Sequence, residues 1–293
     1  MIYVLVPAYN EAATVGLLLW KVRQVFTAFE REYQLLVVDD ASTDGTDAVL
    51  SPYARALPLT LVTHRKRQGY ARSLEELLRL AVSRSDRPRR DAAVTIQGDF
   101  SESPDDLPEL IRRLESGADL VLADARRRPG MPRAERLARR LAPLAARPFA
   151  RIAGLEAGLG TLRAYRVATV ARFLRGGGPL LKGDGWAADL ELLALASAEA
   201  RRIEVVPVAT PASARQREPR LRAFAAFLDF VRASRTLHVS PAPPTPAAAD
   251  DEAPRDRPPR RGRGRRGGRG GRGRSGRAAG PPQGGAAPTQ GSA

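Results

Sequence analysis

Four polar segments of this sequence each follow a short apolar run, and their side chains could together bind a phosphorylated ligand. The segments are residues 7–11, 39–46, 97–104 and 124–126. Tyr9 could stack on a nucleobase, Asp40 could accept hydrogen bonds from base or ribose hydroxyls, and a further carboxylate could hold a divalent cation on a diphosphate. With Arg126 added, the set favours a nucleoside diphosphate. The alternative is that acids such as Asp44 only cap helices.

These segments can meet only if the apolar runs are parallel strands that end at one edge of a sheet. Between the runs, apolar residues recur at helical spacing, as at Val15, Leu18, Leu19 and Val22. This alternation predicts an α/β fold with a mostly parallel sheet covered by helices. Ligands of such sheets bind beyond the carboxyl ends of the strands. Strands are predicted at residues 2–6, 34–38, 59–63, 93–96, 120–123, 162–165 and 204–208.

Several local signals bear on the helices. Asn10 has the side chain of a helix cap and is predicted to cap the first helix. Ser103, which is followed by a proline and two acids, predicts a second helix start. Residues 221–235 carry an apolar stripe flanked by arginines, which either packs on the sheet or lies on an anionic bilayer. Trp186 either stacks on a sugar or belongs to the core.

Composition excludes several classes of protein. The 293 residues include no cysteine, so a disulfide scaffold and a cysteine metal site are excluded. The two histidines, His64 and His238, are far apart in sequence, which argues against a histidine-rich metal site. No apolar run approaches the roughly 18 residues that span a bilayer, and the amino-terminal residues do not resemble a signal peptide. We therefore expect a cytoplasmic chain without a transmembrane segment.

Part of the net charge of +16 lies in the last fifth of the chain. From residue 241 onward, Pro, Ala and Gly dominate, and residues 255–277 contain eleven arginines interleaved with glycine. Such a segment cannot bury enough apolar surface to fold. We predict a folded domain at 1–240 and a disordered tail at 241–293. Contacts of the tail with RNA or anionic lipid are expected to be weak and accessory to the domain.

Two motifs resemble the opening segments of family 2 glycosyltransferases, namely Val-Pro-Ala-Tyr-Asn-Glu at 6–11 and Val-Val-Asp-Asp-Ala-Ser-Thr-Asp-Gly-Thr at 37–46. Later segments resemble the polyprenol-phosphate (dolichol-phosphate) mannosyl- and glucosyltransferase branch, over roughly residues 1–210. Gln97-Gly98-Asp99 stands where that branch has Asp-x-Asp, and Arg126 where it has Gly-Ser-Arg. Residues 161–166 resemble its Ser-Gly-Phe-Arg-Ala-Tyr-Arg segment. The resemblance implies the GT-A fold, a Rossmann-like α/β architecture.

The same resemblance implies roles for individual residues. The donor nucleotide would be bound by Pro7, Tyr9, Glu11, Asp39, Asp40, Gln97 and Gly98. Mg²⁺ or Mn²⁺ would be held by Asp99, with Gln97 and Ser101 as further ligands. The catalytic residues would be Asp99, Arg126 and Asp184. The acceptor phosphate would be bound by Arg136, Arg140 and Arg163.

The sequence also departs from the family pattern. Gln97 replaces the first Asp of the metal motif, and a neutral amide adds no charge to a cation that favours carboxylates, so we expect weak or donor-dependent metal binding. Arg140 stands near the serine of an expected Arg-x-x-x-Ser contact that begins at Arg136. The Asp expected shortly before Arg163 is absent.

The function implied by the resemblance is inverting transfer of a mannose- or glucose-type sugar from a nucleotide-sugar donor to a polyprenyl phosphate. The enzyme would act at the cytoplasmic face of a membrane as a peripheral protein. One alternative is a saccharide or other hydroxyl acceptor, for which Asp184, Asp189 and Glu191 are candidate bases. The other is a catalytically inactive GT-A domain that carries a polyanion-binding tail.

Overall fold

The computed structural model of the protein describes five stretches of the chain and a few single residues. The stretches are 1–124, 152–155, 160–176, 180–208 and 223–236, with side chains described for 228–235 of the last. The single residues are Arg133, Leu137, Arg140, Leu141 and Leu144. The predicted tail at 241–293 lies outside the described residues, as do Arg126 and Arg136.

The described strands form one seven-stranded sheet in the order β3-β2-β1-β4-β6-β5-β7. Strands β1 to β4 are parallel, β5 and β7 are parallel, and β6 is antiparallel to both β4 and β5. The mostly parallel sheet is thereby confirmed, and each predicted strand is found within two residues of its predicted ends. The strands are β1 (Ile2–Ala8), β2 (Tyr33–Asp39), β3 (Leu59–Thr63), β4 (Ala92–Thr95), β5 (Leu120–Asp124), β6 (Arg163–Arg166) and β7 (Ile203–Pro207).

Helices cover both faces of the sheet, as the strand pattern requires. On β1, Ile2, Val4 and Val6 belong to one buried cluster, together with residues of the helices Val15–Phe29 and Leu107–Glu115. Tyr3 and Leu5 belong to the other, together with residues of the helices Tyr70–Arg84 and Trp186–Glu199. Alternate side chains of a strand point to opposite faces, so a strand covered on both sides is apolar throughout. The described helices are α1 (Val15–Phe29), α2 (Thr46–Ala56), α3 (Tyr70–Arg84), α4 (Leu107–Glu115), α5 (Val167–Phe173), α6 (Trp186–Glu199) and α7 (Ala223–Thr236).

The two predicted helix caps have different outcomes. Ser103 Oγ accepts a hydrogen bond from Asp105 N at 3.2 Å, at the start of a 3₁₀ turn that leads into α4, so this prediction is confirmed. The prediction for Asn10 is wrong, because Thr14 occupies the position before α1. Asn10 instead adopts a left-handed conformation with φ of 52°, and its Oδ1 accepts from Thr43 N at 2.7 Å. A short amide side chain tolerates this conformation and can reach a neighbouring loop.

Of the predicted apolar stripe at 221–235, the structure describes the side chains of 228–235, and part of these join the core. Phe230 of α7 is fully buried in the cluster that also contains α3 and α6, and Val231 is partly buried against it, whereas Leu228 is exposed. Trp186 is buried in the same cluster, which favours a packing role over stacking on a sugar. None of the described helices has the length and hydropathy that a bilayer-spanning segment requires.

Candidate active site

The loops that follow β1 and β2 are joined by hydrogen bonds at the carboxyl edge of the sheet. Asp40 N donates to Ala8 O at 2.9 Å, directly where the two strands end. Farther out, Asn10 N donates to Ser42 Oγ and Glu11 N donates to Thr46 Oγ1, both at 2.8 Å. The two segments with the most specific sequence motifs therefore form one connected rim.

The loop that follows β4 meets the same rim. Thr14 Oγ1 donates to Gly98 O at 2.8 Å and to a carboxylate oxygen of Glu11 at 3.1 Å. A Cβ atom on Gly98 would lie 3.3 Å from Pro7 O and 3.4 Å from Glu11 Cγ. A side chain at this position would push the neighbouring loop away by a few tenths of an ångström. The structure therefore places Gly98 close to Pro7 and Glu11, and Thr14 bonds to both Gly98 and Glu11.

Backbone strain is concentrated in these loops. Asn10, Ala41 and Phe100 have φ of 52°, 56° and 57°, and they lie after β1, β2 and β4 respectively. Left-handed conformations cost non-glycine residues roughly 1–2 kcal/mol each. Among the described non-glycine residues, Glu30 is the only other one with a left-handed conformation. Strain that surrounding contacts maintain is typical of functional sites, so it supports a site at this edge.

The paired acids after β2 are both buried, and their oxygens bond to the protein. Asp39 Oδ1 accepts from Ser42 N at 3.2 Å and from the Ser42 hydroxyl. Asp40 Oδ1 accepts from Gln68 N at 2.7 Å, and Asp40 Oδ2 accepts from Gly69 N at 2.8 Å. The carboxylate of Asp40 thus fixes the loop that follows β3.

This loop, residues 65–69, was not predicted from the sequence as part of the site. Arg65, Lys66 and Arg67 are exposed there, and the guanidinium of Arg67 lies 4.1 Å from the centre of the Tyr9 ring. A cation over an aromatic face at this distance is attracted by the ring. The sequence signal for this loop is the run of basic residues just before Gly69. This run follows β3, a parallel strand that ends at the same edge of the sheet as β1 and β2.

The predicted metal ligands lie in the loop after β4. Asp99 is partly buried, and its Oδ1 accepts from Ser101 N at 2.9 Å. Across the described residues, no group of three or more His, Asp and Glu side chains is arranged to hold a metal ion. One carboxylate with a nearby amide and hydroxyl still fits a cation that takes most of its oxygens from a substrate diphosphate, as Mg²⁺ commonly does.

Arg163, the first residue of β6, lies in a buried polar network. Its side chain is 2% exposed, with Nε donating to Gly160 O at 2.8 Å and Nη1 donating to Asp189 O at 2.7 Å. Tyr70 Oη donates to Asp189 Oδ1 at 2.9 Å. Burial and the neighbouring Asp189 carboxylate raise the pKa of Tyr70 well above its usual value, so its hydroxyl remains a donor. The guanidinium of Arg163 thus bonds to backbone carbonyls in the interior.

Glu102 holds the same region from the loop after β4. Its Oε1 accepts from Thr161 Oγ1 at 2.6 Å, from Leu162 N at 2.8 Å and from Thr161 N at 3.1 Å. This carboxylate is buried. It fixes the chain just before β6 to the loop that carries Asp99. This role of Glu102 was not predicted from the sequence.

The remaining catalytic candidates differ in position. Asp184 is exposed, its Oδ1 accepts from Ala71 N at 3.3 Å, and its Oδ2 lies 3.6 Å from the position of a Cβ on Gly69. It therefore lies beside the loop that Asp40 fixes. Glu191 is buried and accepts from Lys182 N at 2.6 Å, which indicates a structural role. Arg140 is exposed.

The sequence matches the family model described as glycosyl transferase family 2 over residues 3–173, which is more than half of the chain. It is 27% identical over 176 residues to an undecaprenyl-phosphate 4-deoxy-4-formamido-L-arabinose transferase of Pseudomonas paraeruginosa, with 59% of this chain and 49% of that protein covered. A protein of the same name from Proteus mirabilis is 25% identical over 118 residues, with 40% and 35% covered. The chain spans about half the length, or less, of these curated relatives.

Among solved structures, the fold is similar to glucosyl-3-phosphoglycerate synthase from Mycobacterium tuberculosis, determined with Mn²⁺, uridine diphosphate and glucosyl-3-phosphoglycerate. The TM-score is 0.55 at 20% identity, and the match covers 80% of this chain and 78% of that one. At this identity the likeness concerns the fold alone. The predicted α/β architecture of the GT-A type is thereby confirmed.

Proposed function

Because this chain belongs to glycosyl transferase family 2, we propose that it transfers a mannose- or glucose-type sugar from a nucleotide donor to a polyprenyl phosphate. The observation that carries the proposal is the connected rim of three strand ends, in which hydrogen bonds join Glu11 to Thr46 and Thr14 to Gly98. The relatives named for transfer to undecaprenyl phosphate support the acceptor class.

The donor would lie across this rim. Tyr9, with Arg67 over one face of its ring, supplies an aromatic surface for the nucleobase. A divalent cation, Mg²⁺ or Mn²⁺, held by Asp99 with Gln97 and Ser101, would stabilise the charge of the departing diphosphate. The other residues that we assign to the donor are Pro7, Glu11, Asp39, Asp40 and Gly98.

The reaction would be a single displacement at the anomeric carbon. An oxygen of the acceptor phosphate forms a bond to that carbon as the bond to the nucleoside diphosphate breaks, and the electron pair leaves with the diphosphate. A phosphate monoester loses its second proton near about pH 6, so this nucleophile needs no general base. Arg126, Arg136 and Arg140 would bind its oxygens as charge-assisted donors, and the buried Arg163 would act through the backbone that it holds.

An exposed apolar stripe supports a lipid acceptor. Leu137, Leu141 and Leu144 are all helical and are 57%, 42% and 55% exposed. Their spacing is that of one helical face, which the exposed Arg133 and Arg140 would share. Leucines flanked by arginines are typical of helices that lie in the interface of an anionic membrane. We infer that the protein works at such a surface as a peripheral protein.

Replacement of all three leucines by serine is expected to weaken binding to vesicles that contain phosphatidylglycerol by at least about tenfold. Each leucine that leaves the acyl boundary forfeits a share of the roughly 1.5–3 kcal/mol that full burial of such a side chain is worth. Vesicle co-sedimentation measures the effect. Leu17→Ser, at a leucine of α1 that is 42% exposed, is the matched control. Equal binding by the triple variant and the wild type would contradict the interface assignment.

A second candidate is transfer to a hydroxyl acceptor, which the position of Asp184 favours. This exposed carboxylate lies beside the loop at 65–69, where a general base for a hydroxyl would be useful. Comparing polyprenyl phosphates with free saccharides as acceptors separates the two candidates.

Deleting residues 241–293 tests the tail, because sugar transfer is expected to survive the deletion while any binding of RNA or anionic lipid by the tail is lost.

The donor assignment is tested by thermal unfolding with UDP- and GDP-sugars, with and without Mn²⁺. A donor at about a hundred times its Kd stabilises the folded chain by about 2.7 kcal/mol, which raises Tm by roughly 5–10 °C. Gln97→Asp is expected to make this shift depend more strongly on Mn²⁺, because it adds a second carboxylate. The absence of a shift with every donor would favour an inactive domain.

A further inference from the structure

His64 lies between two carboxylates at the end of β3. It is buried, with Nδ1 2.7 Å from Asp40 Oδ1 and Nε2 2.8 Å from Glu76 Oε2 on α3. An ionised carboxylate can only accept hydrogen bonds, and a neutral imidazole has one donor nitrogen. Only the doubly protonated imidazolium can therefore donate to Asp40 and Glu76 at once.

A chain of contacts leads from this imidazole to the rim of the donor site. Asp40 accepts not only from His64 but also from the backbone amides of Gln68 and Gly69, at 2.7 and 2.8 Å. These amides belong to the loop at 65–69, whose Arg67 covers the Tyr9 ring. The orientation of the Asp40 carboxylate therefore fixes the part of the loop that faces the base.

The charges around His64 are those of its two partners. Asp40 faces it from the end of β2 and Glu76 from α3, and both act on its ionisation. The neighbouring Glu75 is bonded to Arg79 at 2.8 Å and to Leu180 N at 3.0 Å. The cations of its own loop are exposed to solvent.

We propose that His64 is a positioning residue for the nucleotide donor: its imidazolium locks Asp40 onto the loop at 65–69, and loss of its proton loosens that loop and weakens donor binding. This inference rests on the proposed function, because it assigns a regulator to the same donor site. When the proton is lost, one ring nitrogen presents a lone pair to a carboxylate, and that contact becomes repulsive.

The direction of the pH dependence follows from the contacts. Burial would lower the pKa of His64, but the hydrogen bonds and charges of Asp40 and Glu76 outweigh burial and raise the pKa above its ordinary value of about 6.5. A raised pKa means that the locked state is complete below about pH 6.5 and is lost as the pH rises through the higher value in the folded protein. Donor affinity is therefore expected to fall on the alkaline side.

The test is calorimetric titration of the full chain with a nucleotide-sugar at about pH 6 and about pH 8.5. We use UDP- and GDP-sugars because their diphosphate is esterified at both ends and lacks the ionisation near pH 6 of a terminal phosphate. The wild type is expected to bind about tenfold more weakly at the higher pH, which corresponds to about one pK unit of differential interaction. His64→Gln is expected to bind weakly at both pH values.

Glu76→Gln distinguishes the proton-linked lock from simple packing. The amide of glutamine can donate to Nε2 of a neutral imidazole, whose Nδ1 still donates to Asp40. The variant is therefore expected to bind the donor more tightly than the wild type at about pH 8.5, with a flatter pH profile. Glu76 is 43% exposed, so this variant is expected to fold even if His64→Gln does not.

Glu109→Gln, at a carboxylate of α4 that is 42% exposed, is the matched control and is expected to retain the pH profile of the wild type. Binding by the wild type with the same affinity at both pH values would overturn the inference and leave the proposed function intact, as would a Glu76→Gln profile as steep as that of the wild type. Failure of the wild type to bind any donor at either pH would overturn both.

Discussion

Asp99→Ala is expected to lower kcat/KM for sugar transfer by at least about a hundredfold. Asp99 is the one carboxylate among the proposed metal ligands, since Gln97 and Ser101 are neutral. Without it, a divalent cation has no anionic protein ligand, and the charge that develops on the diphosphate is poorly stabilised. Loss of one electrostatic contact of this kind costs about 2.7–4 kcal/mol, or roughly 10²–10³ in rate. Release of nucleoside diphosphate with a polyprenyl phosphate acceptor measures the effect.

The control for this variant is Asp47→Ala, which removes an exposed carboxylate from the first turn of α2. It is expected to change activity little, since it is not among the residues assigned to the donor or the acceptor. Thermal unfolding of both variants checks that any loss of activity does not reflect unfolding. Full activity of Asp99→Ala would overturn the metal assignment.

Glu102→Ala is expected to lower the free energy of unfolding by about 3 kcal/mol. One oxygen of this buried carboxylate accepts from three donors of Thr161 and Leu162. Alanine leaves those donors without their acceptor, and each buried donor left unsatisfied costs roughly 1–3 kcal/mol. Water that enters the vacated space can accept some of these hydrogen bonds and recover part of the loss. We therefore expect a loss at the lower end of the summed cost of three unsatisfied donors. Urea unfolding measures the change.

Two further variants serve as comparisons for the stability of Glu102→Ala. Glu102→Gln retains one acceptor oxygen and is expected to lose clearly less stability than Glu102→Ala. Glu109→Ala removes an exposed carboxylate and is expected to change the free energy of unfolding by no more than about 0.5 kcal/mol. A loss in Glu102→Ala as small as that in Glu109→Ala would mean that the network around Thr161 contributes little to folding.

The strands could be predicted from the sequence because a strand that is buried on both faces is an uninterrupted run of apolar residues. Every side chain of β1 is buried, so the run from Ile2 to Val6 is apolar without interruption. The direction of β6 could not be predicted, since a four-residue strand carries no pattern that distinguishes parallel from antiparallel pairing. That direction depends on the path of the chain that leads to it.

The candidate site was predictable only where the residue types themselves indicate chemistry. Tyr9 and Asp40 could be proposed as neighbours because parallel strands end at one edge. Arg163 could not be placed, since nothing in its local sequence distinguishes a buried guanidinium from one that faces a phosphate. His64 was noticed only as a poor metal ligand. Its role depends on Glu76, twelve positions away, and on an α3 orientation that only packing determines.

The hydrogen-bonded rim has a further consequence for the energetics of donor recognition. Asn10 and Glu11 are bonded to Ser42 and Thr46, which are groups of the protein itself. Because these bonds are made within the chain, part of the conformational entropy of these loops is lost on folding. A preorganised rim leaves more of the intrinsic contact energy available as affinity. In the loop at 65–69, whose backbone Asp40 fixes, the exposed side chains of Arg65, Lys66 and Arg67 are the natural place for adaptation to different nucleobases.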